Sequence, residues 1–225
     1  MKRFYKEVRV ADGAILLDGR PVKTPARAPL FLPTVRLAEA VAEEWRAQGQ
    51  EIDPRAMPLT GLSNAAIDRV APDPIAFTRP LAAYAASDLL CYRADAPTAL
   101  AAREAEAWDP LLAWARARFD IHFTIATGIT HVAQPAATVA RLEEALIVRD
   151  PFGLAAMSPL VTIGGSLVTA LALAEGTIEA GAAFDLTHLD ELWQAEQWGE
   201  DSFALQARAA RRSDFMAAAT LLTLL

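Results

Sequence analysis

This chain has few residues of the kinds that build metal, thiolate or phosphate sites. Cys91 is the one cysteine among 225 residues, which excludes an intramolecular disulfide and makes a reducing compartment the simplest interpretation. The three histidines, His122, His131 and His188, do not have another histidine at the helical spacing of metal ligands. Phosphate-binding loops and dinucleotide-binding glycine patterns are missing as well. We therefore predict that the protein holds no metal and no cofactor.

An excess of positive charge is also lacking. The formal net charge is -7, and the 21 Lys and Arg residues are spread along the chain. Phosphate backbones are bound by concentrated positive fields, so this balance argues against a nucleic-acid partner.

No targeting or membrane-spanning segment is recognisable in the sequence. The start, Met1 to Glu7, is basic but is not followed by an apolar core, so we expect a cytoplasmic protein. Residues 151–174 carry no charge, which meets the length criterion for a membrane span. Because Pro159 and a glycine pair interrupt this run and no basic residue flanks it, we predict a buried helix instead, without membrane insertion. Ser158 and Pro159 would begin this helix, and it would end near Glu175.

The first third of the chain has the pattern of a small antiparallel sheet. Asp12-Gly13 and Asp18-Gly19 are hairpin turn signals, and apolar residues alternate with polar ones before the first turn. A further short strand is predicted over residues 30–32, between two prolines.

Helical periodicity dominates after this region, beginning with a helix capped by Thr34. Further helices are predicted over residues 59–70, 75–93, 97–119, 135–149, 179–198 and 202–225. The predicted fold class is α+β, with a small antiparallel β-rich N-terminal domain (1–72) followed by a larger all-helical domain (73–225).

Candidate catalytic groups are present but lack partners. Gly164-Gly165-Ser166 does not have the spacing of a nucleophile elbow and favours close packing inside the buried helix. Cys91 has no local base that would lower its pKa. Asp88 and Arg93, on either side of it, either form an ion pair or hold the loop that follows the helix. We predict that the protein is not an enzyme; a small-molecule enzyme using Asp88, Cys91 or His131 remains the weaker alternative.

The most informative segment is 190–201, which contains two tryptophans and several carboxylates but no basic residue. Aromatic residues beside acids are typical of a protein-binding surface. The same pattern also fits a core-facing stripe with a solvated acidic face, and the composition of the segment leaves both interpretations open.

Several ordered blocks of this sequence resemble the Atp12 family, the assembly chaperones of the F1 sector of ATP synthase. The blocks span nearly the whole chain and lie at residues 4–6, 17–25, 44–48, 52–60, 64–68, 84, 88–93, 108–112, 165–167, 190–191 and 197–201. Any one block is weak, but their combination in this order is specific.

The resemblance implies a chaperone that binds the free F1 α subunit and shields it before the α3β3 hexamer forms. It also implies a β-rich N-terminal domain joined to a helical one, and an important acidic position in the C-terminal block. The alternative is a binding module for another client. A chaperone that masks an interface can act as a monomer, which is our expectation.

The residues carried over from the resemblance fall into two groups. Partner binding is assigned to Asp201 first, and then to Glu200, Glu191, Trp198 and Glu196. A role in the fold or in binding is assigned to Glu44, Trp45, Asp88 and Arg93. Trp193 and Trp198 are also interpreted as packing that fixes the end of the helix, with Gly199 as a left-handed cap.

Overall fold

The structure, a computed structural model, describes residues 1–225. Its contacts divide the chain into two compact units. The first contains Met1–Phe77, Asp150–Ala156 and Ala217–Leu225, and the second contains Thr78–Arg149 and Met157–Met216. The linear division into domains 1–72 and 73–225 stays a prediction; the first unit includes two segments from much later in the chain.

A three-stranded antiparallel sheet opens the first unit. Strands β1 (Val8–Ala11) and β2 (Ala14–Leu17) form a hairpin, and β2 pairs in turn with β3 (Arg20–Pro21). Asp12 and Gly13 both have positive φ values of 48° and 78°, as a type I′ hairpin turn requires. Asp18 and Gly19 likewise have positive φ values of 47° and 78°, between β2 and β3. Both predicted turns are therefore confirmed.

The predicted strand over residues 30–32 does not form. Phe31 makes a single bridge to Ala14, and Pro29 makes another to Lys23. Proline has no backbone N–H to donate to a ladder, so the prolines at 29 and 33 limit the pairing to isolated bridges.

Helix α1 (Val35–Arg46) begins where its cap predicts. The Thr34 hydroxyl accepts a hydrogen bond from the Leu37 N–H at 3.1 Å, which satisfies one of the free donors of the first turn. Leu37 and Val41 are fully buried in the core of this unit. Helix α2 (Pro58–Ala65) follows and continues as a π-helical turn, Ala66–Val70, over the range predicted as one helix.

The remaining elements form a helical region, which confirms the α+β fold class. A two-residue parallel pairing of β4 with β5 is the strand structure within it. The elements are α3 (Pro74–Ala82), β4 (Tyr92–Arg93), α4 (Thr98–Phe119), β5 (Ala126–Thr127), α5 (Ala136–Ile147), α6 (Pro151–Gly164), α7 (Leu167–Ala174), α8 (Ala180–Thr187), α9 (Leu189–Trp198) and α10 (Ser202–Leu224).

Two predicted helices are shorter than expected. The helix predicted over residues 75–93 ends at Ala82 and is followed by two 3₁₀ turns, Ala83–Ala86 and Leu89–Cys91. The helix predicted over residues 179–198 is interrupted at His188, which separates α8 from α9.

The uncharged run forms two helices, and the predicted start at Ser158 is wrong. Helix α6 begins at Pro151, because the Asp150 carboxylate accepts hydrogen bonds from the Phe152 and Gly153 N–H groups at 2.8 and 3.1 Å. Helix α6 runs through Pro159 and ends at Gly164. No helix of the structure has both the length and the apolarity needed to cross a membrane.

The Gly164-Gly165-Ser166 segment is the junction between α6 and α7, and its predicted place inside one helix is also wrong. Gly165 has a positive φ of 65°, and the Ser166 hydroxyl caps α7 by accepting the Thr169 N–H at 3.0 Å. A Cβ on Gly164 would lie 3.3 Å from the Thr187 methyl, which agrees with the predicted close packing.

Candidate functional site

The acidic and aromatic segment 190–201 forms α9 and the turn that leads into α10. Helix α9 ends where the Gly199 N–H donates to the Ala195 carbonyl at 2.9 Å. Helix α10 begins where the Asp201 carboxylate accepts the Ala204 N–H at 3.1 Å. Gly199 has a positive φ of 85°, but its ψ of 169° lies outside the left-handed helical region. The predicted left-handed helical cap is therefore wrong, because the φ of Gly199 is positive but its ψ is that of extended backbone.

Two of the predicted binding acids, Glu191 and Glu200, form ion pairs with arginines of α10. Glu191 of α9 pairs with Arg211 and, at 3.7 Å, with Arg208, both on α10. Glu200 also pairs with Arg208, whose side chain is only 12% exposed. These intramolecular contacts hold α9 against α10, and they occupy both carboxylates with arginines of the same chain.

Glu196 attaches α9 to α4 by a two-pronged ion pair. Arg103 of α4 donates to both of its carboxylate oxygens, at 2.6 and 2.9 Å, and lies over the Trp193 ring at 5.7 Å. The hydrogen bonds from Arg103 lower the pKa of Glu196. Trp193 is half-buried, as expected for packing at the helix.

Asp201 differs from these acids because it forms no ion pair in the structure. Its exposed carboxylate makes the single capping bond to Ala204, which leaves several of its acceptor positions directed to solvent. Asp201 is therefore the predicted acid with the most capacity for a bond to another molecule.

Two exposed aromatic side chains flank this acid. Trp198 and Phe203 are each 79% exposed, and Leu205 nearby is 39% exposed. The interpretation of Trp198 as packing is wrong, because most of its side chain is exposed at the end of α9. Sequence reasoning missed Phe203, although an aromatic residue directly after the acidic turn is a usable signal.

These residues define a surface that can bind a protein. Trp198, Glu200, Asp201, Phe203 and Leu205 are called the α9–α10 surface below. Between the helices lies a groove of about 200 Å³, lined partly by Trp198, Asp201 and Leu205. Exposed large apolar side chains beside a carboxylate are typical of binding surfaces.

Glu44 and Trp45 make contacts of a structural kind within the first unit. The Glu44 carboxylate accepts the Leu59 and Thr60 N–H groups and the Thr60 hydroxyl, each at 2.7 Å, and so caps α2. Burial raises the pKa of Glu44, and these hydrogen bonds act in the opposite direction. Trp45 meets the Tyr5 ring edge-on at 5.7 Å.

Asp88 holds a junction in the second unit. Its fully buried carboxylate accepts the Leu90 N–H at 3.1 Å and the Val168 N–H at 3.0 Å, and Ser166 contributes a further hydrogen bond. Asp88 therefore joins the turn Leu89–Cys91 to the start of α7. Burial raises the pKa of Asp88 to about 6.

Arg93 does not pair with Asp88, so the ion pair predicted as one alternative is absent. Its guanidinium donates to the Asp109 carboxylate at 2.6 Å and to the Leu90 carbonyl at 2.5 Å, and it lies 4.9 Å from the Trp108 ring centroid. Arg93 thus holds the chain after the turn against α4, as the other alternative predicted.

The candidate catalytic groups are not arranged as an activated pair. Cys91 is fully buried, and burial, together with the nearby Asp88 charge, raises the pKa of its thiol to about 12. A thiol in this state is not the thiolate that nucleophilic catalysis needs. His131 is exposed, and its Nδ1 lies 3.2 Å from the Tyr92 hydroxyl. No group of three or more His, Cys, Asp or Glu side chains is placed to hold a metal ion.

Comparison with known proteins shows the family to which this chain belongs. The family model described as ATP12 chaperone protein matches residues 2–116. The structure of Atp12 from Paracoccus denitrificans is similar, with 42% sequence identity and a TM-score of 0.93 over 99% of this chain and 97% of that one. An aspartate-to-lysine variant of the same protein gives the same values. A candidate chaperone from Agrobacterium tumefaciens is 44% identical, with a TM-score of 0.94 over 99% of this chain and 85% of that one. The predicted resemblance is confirmed, and this chain belongs to the ATP12 chaperone family.

Proposed function

We propose that this protein is an assembly chaperone of the F1 sector of ATP synthase that binds the free α subunit through the α9–α10 surface. It would act as a monomer in the cytoplasm and hold α until the β subunit takes its place. Membership of the ATP12 chaperone family supports the chaperone role. The pair of exposed aromatic rings beside Asp201 is the observation that carries the choice of surface.

The chemistry of this surface suits reversible shielding of an unassembled subunit. Trp198 and Phe203 offer apolar area, and such rings dominate the binding energy of many interfaces. Asp201 offers an unpaired negative charge, which favours a client patch that contains arginine or lysine. The ion pairs of Glu191 and Glu200 hold α9 against α10, so the surface is formed before the client arrives. Preorganisation of this kind lowers the entropic cost of binding.

Release follows from competition. The β subunit would displace the chaperone once it covers the same face of α with a larger interface. The chaperone therefore needs only moderate affinity for α, so that β can displace it. A small contact surface with a few exposed side chains is consistent with such an affinity.

The test is capture of the α subunit by the full chain and its variants in a co-purification assay. Trp198→Ala and Phe203→Ala remove the apolar contacts. Asp201→Asn removes the charge but keeps an oxygen that can cap α10, and Asp201→Lys reverses the charge. Asp214→Asn is the matched control, because Asp214 is an exposed acid on α10 outside the α9–α10 surface.

We expect each aromatic variant to weaken capture by about tenfold or more, since interface aromatic residues often contribute over 1.4 kcal/mol. Asp201→Lys should weaken it more than Asp201→Asn, and Asp214→Asn should bind as the parent does. Undiminished capture by all four variants, with the fold intact by circular dichroism, would show that another surface binds α. Failure of the parent chain to retain α would contradict the proposed client itself.

A further inference from the structure

A second concave surface lies in the first unit, between the sheet and the start of the chain. This groove has a volume of about 540 Å³, within the range of roughly 300–1,000 Å³ that is usual for ligand sites. Its walls include Phe4, Tyr5 and Trp45. The Phe4 ring meets the Tyr5 ring edge-on at 5.4 Å, and Phe4 is 65% exposed while Tyr5 is buried. The groove therefore has an anchored aromatic wall with an open outer edge.

Two cations without ion pairs line the same groove. Arg20 and Lys23 are both exposed; the charge of Arg20 interacts with that of Asp18, but neither cation forms an ion pair. Asp18 also lines the groove, but its carboxylate accepts the backbone N–H groups of Lys6 and Glu7 at 3.0 and 2.8 Å. These hydrogen bonds lower the pKa of Asp18. The acid of the groove is thus engaged mainly by backbone N–H groups, and both cations remain free of ion pairs.

Basic side chains are in excess near the start of the chain, and acidic side chains are in excess in the rest. The first 30 residues contain seven basic and three acidic side chains, including all three lysines of the protein. The remaining residues contain 14 basic and 25 acidic side chains. The groove therefore lies in the basic part of an otherwise acidic protein, where an anionic segment is attracted and a cationic one is repelled.

The spacing of the two cations favours an extended ligand over a small anion. Arg20 and Lys23 are three residues apart on nearly extended backbone, which separates their Cα atoms by up to about 10 Å at a rise of about 3.3 Å per residue. Two carboxylates of an extended peptide match that separation, so each cation can bind a carboxylate of its own. The aromatic wall can receive an apolar side chain that lies between them.

We propose that this groove binds an extended acidic peptide segment of another protein, with an aromatic or aliphatic side chain between its carboxylates. Charge complementarity with Arg20 and Lys23 selects the acids, and contact with Phe4 selects the apolar residue. This site has no residue in common with the α9–α10 surface, and its occupation does not depend on which client that surface takes.

The probe is a short fluorescein-labelled peptide of glutamates around one phenylalanine, and its binding to the full chain is followed by fluorescence anisotropy. A peptide with glutamines in place of the glutamates is the ligand control. The double variant Arg20→Glu/Lys23→Glu reverses the charge of the groove, and Phe4→Ala removes the apolar contact. Arg36→Glu is the protein control, because Arg36 is exposed, lies in the same unit, forms no ion pair and does not line the groove.

We expect the acidic peptide to bind and the glutamine peptide to bind at least about tenfold more weakly, with the difference shrinking at high salt. The double variant should lose at least about tenfold in affinity and Phe4→Ala a smaller factor, while Arg36→Glu stays within about twofold of the parent. Equal binding of both peptides would overturn the proposal, as would equal losses in the double variant and the Arg36 control. If the peptide does not bind but the double variant abolishes self-association in sedimentation, the groove takes a second copy of this chain, and the proposal is wrong.

Discussion

Replacing Asp88 with asparagine removes the one carboxyl group that joins the turn Leu89–Cys91 to α7. The parent carboxylate is fully buried and accepts N–H groups from Leu90 and Val168. Asparagine keeps a similar shape but cannot take up or release a proton at any relevant pH. The comparison of parent and Asp88→Asn therefore isolates the contribution of this proton to stability.

The magnitude follows from the pKa of Asp88. Burial raises the pKa from the ordinary value of 3.8 to about 6 in the folded protein. Each tenfold change in proton affinity is worth about 1.4 kcal/mol, so the difference corresponds to about 3 kcal/mol. Between these two values the folded state binds more protons than the unfolded state. The contribution of Asp88 therefore grows as the pH falls through 6, levels off near 4, and is lost as the pH rises again.

The assay is urea unfolding of the parent and of Asp88→Asn at a series of pH values from about 7.5 to about 4. The free-energy difference, parent minus variant, should increase by up to about 3 kcal/mol over this range. Asp95→Asn, at an exposed position without an ion pair, controls for the substitution itself. A difference that stays constant within about 0.5 kcal/mol, or that shrinks as the pH falls, would refute the reasoning.

Three further outcomes test other parts of the structure. Glu44→Ala should lower the free energy of unfolding by about 2 kcal/mol, because it leaves the first turn of α2 without its cap. Glu43 is its exposed neighbour on α1, and Glu43→Ala should lower the free energy of unfolding by less than about 0.5 kcal/mol. Similar losses in a denaturation assay would contradict this. Glu191→Gln should cost about 1 kcal/mol by weakening the ion pairs to α10, and an unchanged midpoint would show that those pairs contribute nothing. Cys91 should react with a disulfide reagent only as fast as the chain unfolds, since the thiol is buried with a pKa of about 12, and rapid labelling of the native protein would count against this.

Local signals in the sequence predicted much of the fold. The two Asp-Gly turns, the Thr34 cap, and the helix at 98–119 that follows Pro97 all appear as expected. Each depends on residues within a few positions of one another, so its energy hardly changes with the rest of the chain. One error lies where two local signals competed. Ser158-Pro159 has the pattern of a helix start, yet the cap at Asp150 begins the helix earlier, and α6 runs through Pro159.

The candidate site was only partly predictable, because its ion pairs join residues far apart in the sequence. The acidic, aromatic composition of residues 190–201 pointed to the segment, and Asp201 is the one predicted binding acid without an ion pair. Whether Glu191 faces a partner or its own protein depends on Arg211, twenty residues later, and no periodic pattern reports that pairing. Glu104 is a further case: it is 1% exposed and accepts the Ala94 N–H at 2.7 Å, which its place in a charged helix does not indicate.

The sequence by itself determined the fold class and many of the elements, because turns, caps and apolar periodicity are written in neighbouring residues. The family followed from ordered blocks that resemble the ATP12 family along the chain. Only the tertiary structure decided which of these residues are free to act. Burial and ion pairing depend on which distant side chains meet, so Trp198 became an exposed ring, Asp88 a buried carboxylate, and Glu200 part of an intramolecular ion pair. The two cations of the N-terminal groove became a candidate site in the same way, because neither forms an ion pair within the fold.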